Sequence, residues 1–226
     1  MKITTMTRLG KSLKLLKWIA PLVVLVLVTT ANAQDTVKYK ARAIGSKVGI
    51  AGSANIHDWT MDGTLIGGFF EVPAGVEFDQ SQAALPGVSG GKLAAHAETS
   101  IDVTSLHGNW SGMDPVMQEA MNAKDHPSIQ YRLAEMTLKE PHAAGAPFDF
   151  DTKGDLIVNG VTNVINMPVS IQSAGAGKLK ITGKVPLKMT DYKVIPPVKF
   201  GVFKTGDEVT ISFEWIVGKP QAPKAQ

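Results

Sequence analysis

Apolar side chains recur at every second position along most of this chain. That period belongs to a β-strand with one buried face, because a helix would scatter the same residues around its circumference. In KLAAHAETSIDV (residues 92–103), Leu93, Ala95, Ala97, Thr99, Ile101 and Val103 share one face. Lys92, Ala94, His96, Glu98, Ser100 and Asp102 share the other. KLKITGKVPLKM sets Leu179, Ile181, Val185, Leu187 and Met189 against Lys178, Lys180, Lys184 and Lys188, and VTISFEWIV gathers Val209, Ile211, Phe213, Trp215 and Val217. Asn159–Gly160 separates two more alternating runs and can adopt the two positive φ values of a type I′ turn, so DLIVNGVTNVINMPVSI is expected to be a β-hairpin. Further strands are expected over Thr36–Ile44, Gly63–Val72 and Ser128–Leu138. Pro168 and Pro186 have no N–H to give a ladder, which assigns them to bulges or exposed edges.

One segment breaks the period. In GMDPVMQEAMNAKDHP, Asp114 can cap a helix, Pro115 suits its first turn and Pro127 bars its continuation. Met113, Val116, Met117, Ala120 and Met121 then form one apolar stripe. The favoured reading is a short helix plugging one end of a β-core; the second is a wall of adaptable thioethers beside a ligand cavity. Many alternating strands with a single short helix define an all-β chain, an antiparallel barrel or sandwich. The segments ALPGVSGG and EPHAAGAP read as loops.

The first 33 residues read as a leader. Lys2, Arg8, Lys11, Lys14 and Lys17 precede the apolar run WIAPLVVLVLV, and Ala31–Asn32–Ala33 closes it. That order is a secretory signal peptide, expected to be cleaved after Ala33, with a run too short for an ordinary spanning helix. The expected product is exported, periplasmic or secreted, with no stable membrane anchor. Residues 34–218 form one domain on this reading, and 219–226 a disordered tail. The leader holds 5 of the 23 basic residues and none of the 20 acidic ones, which leaves 18 against 20, a net charge of −2. No basic, aromatic-interleaved stretch remains to suggest nucleic acid. With no cysteine in the chain, disulfides, thiol catalysis and thiolate metal sites are excluded together.

The densest cluster of functional side chains is His57–Asp58–Trp59, within IAGSANIHDWTMDG. Adjacent strand residues point to opposite faces, so Asp58 is badly placed to orient His57 as a general base. Ser53 lies four residues upstream, but no Gly-x-Ser-x-Gly elbow occurs. The five histidines, His57, His96, His107, His126 and His142, lack metal-ligand spacing. The triplet therefore reads first as a structural corner, with Asp58 in an Asx-type turn and the Trp59 N–H on a partner, and second as a ligand clasp.

In their order along the chain, four segments resemble the YceI family of exported bacterial proteins. They are VGIAGSANIHDW, MDPVMQEAMNAKDHPSIQYRL, GDLIVNGVTNVINMPVSI and LKMTDYKVIPP. Many members carry a Thr-His-x-Ser pattern on the early strand where this chain reads SANIHDWT, a mark of a divergent branch. The resemblance implies a lipocalin-like antiparallel barrel of about eight strands, whose interior in some relatives holds a long isoprenoid or fatty-acid-like molecule. On that basis the chain is expected to be a non-catalytic carrier of an apolar small molecule, an isoprenoid, quinone or fatty-acid-like lipid, with neither cofactor nor metal. Trp59, Phe69, Leu93, Ile101, Met117, Met121 and Tyr131 are the expected ligand contacts. The alternative is a filled barrel serving as a structural or interaction module of the envelope; a homodimer is compatible with either.

Overall fold

The computed structural model describes residues 35–220 apart from Ser111, Pro141 and Phe200. The expected signal peptide and the last six residues of the expected tail lie outside the described residues. In chain order the strands are β1 (Thr36–Ala41), β2 (Lys47–Ala54), β3 (Trp59–Gly63), β4 (Gly67–Pro73), β5 (Val88–Ser89), β6 (Lys92–Leu93), β7 (His96–Asp102) and β8 (His107–Gly108). The helix α1 (Met113–Ala120) follows, then β9 (Ser128–Leu138), β10 (Phe148–Val158), β11 (Val161–Ser173), β12 (Lys178–Lys188), β13 (Val198–Lys199) and β14 (Phe203–Gly218).

These strands form a closed, eight-stranded antiparallel barrel. Its wall runs β1-β4-β7-β9-β10-β11-β12-β14, and β14 closes it by pairing Lys40 with Gly218 and Ala41 with Val217. β2 and β3 continue the wall past bends in the first two staves. β2 runs along β14 from Lys47 opposite Glu214 to Ala54 opposite Thr205, and β3 pairs back onto β2. The expected strand Thr36–Ile44 therefore stops at Ala41, and Gly63–Val72 is two strands with a break at residues 64–66. At the first bend Gly45 has φ +96°, and the buried Ser46 hydroxyl accepts the Ile216 N–H at 3.1 Å, so the kink leaves that donor satisfied.

The alternation found in the sequence is the alternation of burial. Val209, Trp215 and Val217 are buried, as are Leu179, Ile181 and Val185. Asn159 and Gly160 have φ of 50° and 72°, the two positive values of the expected hairpin turn. Both prolines sit on an open seam. β11 pairs with β12 only between Val169–Ser173 and Leu179–Gly183, yet β11 pairs with β10 as far as Val161, and β12 with β14 as far as Lys188. Pro168 stands directly past the point where the shared ladder stops, and Pro186 lies three residues past it. A 3-10 turn at Met189–Tyr192 bridges the gap, with the Asn163 amide donating to Asp191 O at 2.8 Å and the Asn159 amide to Tyr192 O at 3.2 Å.

The end of the barrel away from α1 is closed by side chains. The long connection after β4 folds Val76, Phe78 and Leu85 into the interior. Phe78 meets Phe70 at 6.0 Å between centroids, Phe148 at 6.0 Å and Phe150 at 6.4 Å, and Tyr39 adds a further ring against Phe70 at 6.4 Å. The tilted and edge-on geometries suit aromatic pairing.

Phe150 is fully buried in this floor. Phe150→Ala is expected to destabilise the fold by about 3–5 kcal/mol, the usual range for emptying an aromatic core site. A urea titration followed by tryptophan fluorescence measures it; a loss well below that range would show that the floor collapses onto the vacancy.

Candidate functional site

Between α1 and the middle of the barrel the side chains do not meet, and a cavity of about 630 Å³ opens. The barrel contributes Ile50, Met61, Val158, Leu187, Val209 and Ile211 to its wall. A second space of about 100 Å³ continues toward the aromatic floor, lined by Ile101, Tyr131, Thr152, Leu156, Ile165 and Met167 among others. Ile50, Ile129 and Ile211 line both, so a wide chamber and a narrow one lie against each other at these three side chains. The walls are almost wholly apolar, as a site for an apolar guest requires.

The helix is a lid over this chamber. None of the eight residues of α1 is fully buried, although Met113, Val116, Met117 and Ala120 form the expected apolar stripe. These four and the buried Met121 line the chamber. The two readings of the stripe meet here: Met113, Met117 and Ala120 pack against the core, Met121 belongs to it, and the same side chains wall the chamber. Asp114 is not the helix cap. Gly112 holds that position without a side-chain bond, and the Asp114 carboxylate instead accepts the Gly108 N–H at 2.7 Å and meets His107 Nδ1 at 2.8 Å. It thereby ties the lid to β8. The Gly108 N–H, and then the His107 ring, hold this carboxyl below the usual aspartate range.

The His57–Asp58–Trp59 corner stands at the mouth. Trp59 donates its indole N–H to Ser53 O at 3.2 Å, and its ring lies over Gly52, where a Cβ would come within 2.4 Å of it. Any side chain at position 52 would displace the indole. His57 turns its Nδ1 to the carbonyl of Asp58, at 3.1 Å, and meets Trp110 edge-on at 5.0 Å between centroids. The Asp58 side chain is exposed and, among the described residues, accepts none of the N–H bonds of the expected Asx turn. Ser53 presents its carbonyl to the tryptophan, not a nucleophile to the histidine.

Polar groups inside are few. Tyr131 reaches Thr152 Oγ1 at 3.4 Å, and Thr152 donates to Met167 O at 2.8 Å. Burial pushes the Tyr131 phenol up, and the Thr152 bond opposes the shift. Tyr192 lines the wide chamber beside the bridging turn, with its hydroxyl buried. Burial pushes this phenol up as well, and the neighbouring Asn163 side chain opposes the shift. Among the described residues no group of three or more histidine and acidic side chains is gathered to hold a metal.

Of the expected contact residues, Trp59, Met117 and Met121 line the wide chamber, and Ile101 and Tyr131 the narrow one. Phe69 is a correction. It lies on the outer face, with Lys38 Nζ 3.9 Å above its ring and His96 at 5.3 Å, while Phe70 points inward. Leu93 is also corrected: it is buried, but on the short strand β6 that pairs with β5 and the far end of β9, and it lines neither space. Gly67 and Gly68 mark the start of β4 and likewise line neither. Sequence reasoning passed over Ile50, Met61, Leu187, Tyr192 and Ile211, whose pattern is that of any core residue. Trp110 carried a signal, an indole isolated in a glycine-flanked loop.

With this geometry in view, the chain was compared with known proteins. The family model of the YceI-like domain matches residues 33–216. The crystal structure of BcnA from Burkholderia cenocepacia is similar at a TM-score of 0.56 and 18% identity, over 78% of this chain and 98% of that one. A polyisoprenoid-binding domain from Saccharophagus degradans, implicated in plant cell wall breakdown, is similar at a TM-score of 0.57 and 14% identity, over 81% of this chain and 99% of that one. At these identities the likeness is one of fold. No curated protein matches the sequence.

The lid latch carries a pH dependence with a definite sign. Because the Asp114 carboxyl is depressed in the folded chain, its contribution is complete above the ordinary aspartate pKa, about 3.9, and is lost as the pH falls through the folded value. Amide exchange in α1 is expected to accelerate in that acid window relative to β10. Asp114→Asn is expected to remove the dependence; an unchanged profile in that variant would place the acid-sensitive group elsewhere.

Proposed function

The chain belongs to the YceI-like domain family, and from that premise we propose that it binds and carries a long apolar small molecule without transforming it. The observation that carries this reading is the pair of adjoining apolar spaces, about 630 and 100 Å³, between the lid and the aromatic floor. The wide chamber falls within the roughly 300–1,000 Å³ typical of small-molecule sites. The guest is an isoprenoid, quinone or fatty-acid-like lipid, its slender end in the narrow chamber and its bulkier end beneath α1. The polyisoprenoid-binding domain of similar fold supports the isoprenoid class. Apolar burial supplies the drive, about 25 cal/mol per Å² before the losses of association.

The non-catalytic part of the proposal rests on the polar groups present. His57 engages a backbone carbonyl, Ser53 does not face it, and Tyr131 and Thr152 engage each other. The leader read in the first 33 residues supports an exported, periplasmic carrier. The two apolar spaces count against a wholly filled barrel.

The shared wall of Ile50, Ile129 and Ile211, read as a neck that the guest threads, offers a test by chain length. Ile211→Trp places a large ring where the two chambers meet. Displacement of a dansyl-labelled undecanoic acid by prenols is the assay. In the variant, long prenols such as solanesol are expected to weaken at least tenfold, about 1.4 kcal/mol, while geraniol holds its affinity. If neither the dansyl probe nor any prenol binds the unaltered protein, the carrier reading falls.

A further inference from the structure

The mouth of the wide chamber is ringed by large apolar side chains left in solvent. Ile56 is 57% exposed and Trp110 50%, and both also line the chamber. Ile195 is 79% exposed, Val198 55% and Val202 58%, on the segment that runs from β12 to β14. This segment is held at the mouth, since Val194 and Pro197 line the chamber. It is also stitched to the β2–β3 corner: the Asn55 amide donates to Val202 O at 2.7 Å, Lys204 N–H donates to Asn55 Oδ1 at 2.9 Å, and Asn55 N–H donates to Lys204 O at 3.1 Å. His57 joins the corner to Trp110. Three separate loops thus present their apolar side chains around one opening.

In sequence, the segment that bears Ile195, Val198 and Val202 has a charge bias opposite to that of the domain. The stretch 188–204 carries Lys188, Lys193, Lys199 and Lys204 against one acidic residue, Asp191. The chain beyond the leader is net −2. Apolar knobs with an indole among them, flanked by lysines, match the boundary of an anionic bilayer, where the apolar groups enter the acyl edge and the ammonium groups stay at the headgroups. A protein bound permanently over these loops would close the chamber's mouth.

We propose that the rim formed by Ile56, Trp110, Ile195, Val198 and Val202 docks on the surface of an anionic lipid membrane. Docking sets the chamber mouth against the bilayer, so that the guest passes between acyl chains and barrel without crossing water. The docking stands on the rim alone; the transfer rests on the carrier reading above.

The test is flotation of the purified protein with phosphatidylcholine vesicles containing or lacking phosphatidylglycerol, all samples having the same N-terminus by mass spectrometry. The protein is expected to float with anionic vesicles and to be released as salt is raised. The triple variant Ile195→Ser, Val198→Ser, Val202→Ser alters no residue that lines the chamber and is expected to lose at least tenfold in bound fraction. Lys193→Glu with Lys204→Glu is expected to lose the preference for phosphatidylglycerol. Each variant is expected to bind the dansyl undecanoic acid as the unaltered protein does, which shows that the barrel is folded. Equal flotation of the triple variant, or no flotation of the unaltered protein, overturns the proposal. A dimer that the triple variant dissociates overturns it too, since the rim would then be an interface between two copies. Vesicle binding without probe binding would leave docking standing and remove the carrier; the reverse would retain the carrier and remove docking.

Discussion

Beyond Val169 and Gly183 the ladder between β11 and β12 ends, and Pro168 and Pro186 stand where it would have continued. Neither can supply an N–H, so the wall cannot be sealed there by the rule that seals the rest of it. Each strand stays bonded on its other side, to β10 and to β14, and the two part from each other. The turn at Met189–Tyr192 fills the gap with its carbonyls, which receive the amides of Asn159 and Asn163. Along this gap Leu187, Met189 and Tyr192 line the wide chamber.

The two ends of the barrel solve the same burial problem in opposite ways. At the floor, Phe78 meets Phe70, Phe148 and Phe150 ring to ring. At the lid, eight residues of helix span a much wider opening, and their methionines reach into it without filling it. Thioether chains have many rotamers of similar energy, so such a surface can accept guests of different outline. The latch from Asp114 to Gly108 and His107 fixes where the helix sits, and its apolar stripe fixes what it faces.

The strands of the barrel were legible in the sequence because one face is buried and the other is not, and burial with period two leaves a direct imprint. Ser128–Leu138 and the Asn159–Gly160 hairpin coincide with the expectation, the latter because a type I′ turn admits few residues. Phe69 against Phe70 could not be resolved by that imprint. The break between β3 and β4 resets the phase, and two adjacent rings satisfy either parity. Leu93 illustrates a different limit: its face is right, but the pattern along a strand carries no information on height within the barrel, which the stagger of neighbouring strands decides. The cavity itself is a deficit of matter, set by which staves face one another, so Ile50, Met61 and Ile211 looked like any other core residues.

The aromatic floor has a consequence for how contents exchange. A guest carried as proposed would travel in single file in a vessel closed at one end: the end that enters first would be the last to leave, and a newcomer would not slip past an occupant between Ile50, Ile129 and Ile211. Its orientation would be chosen at loading and kept until release. Turnover would then be governed by how fast the occupant departs, and abundance of the replacement would do nothing to hasten it.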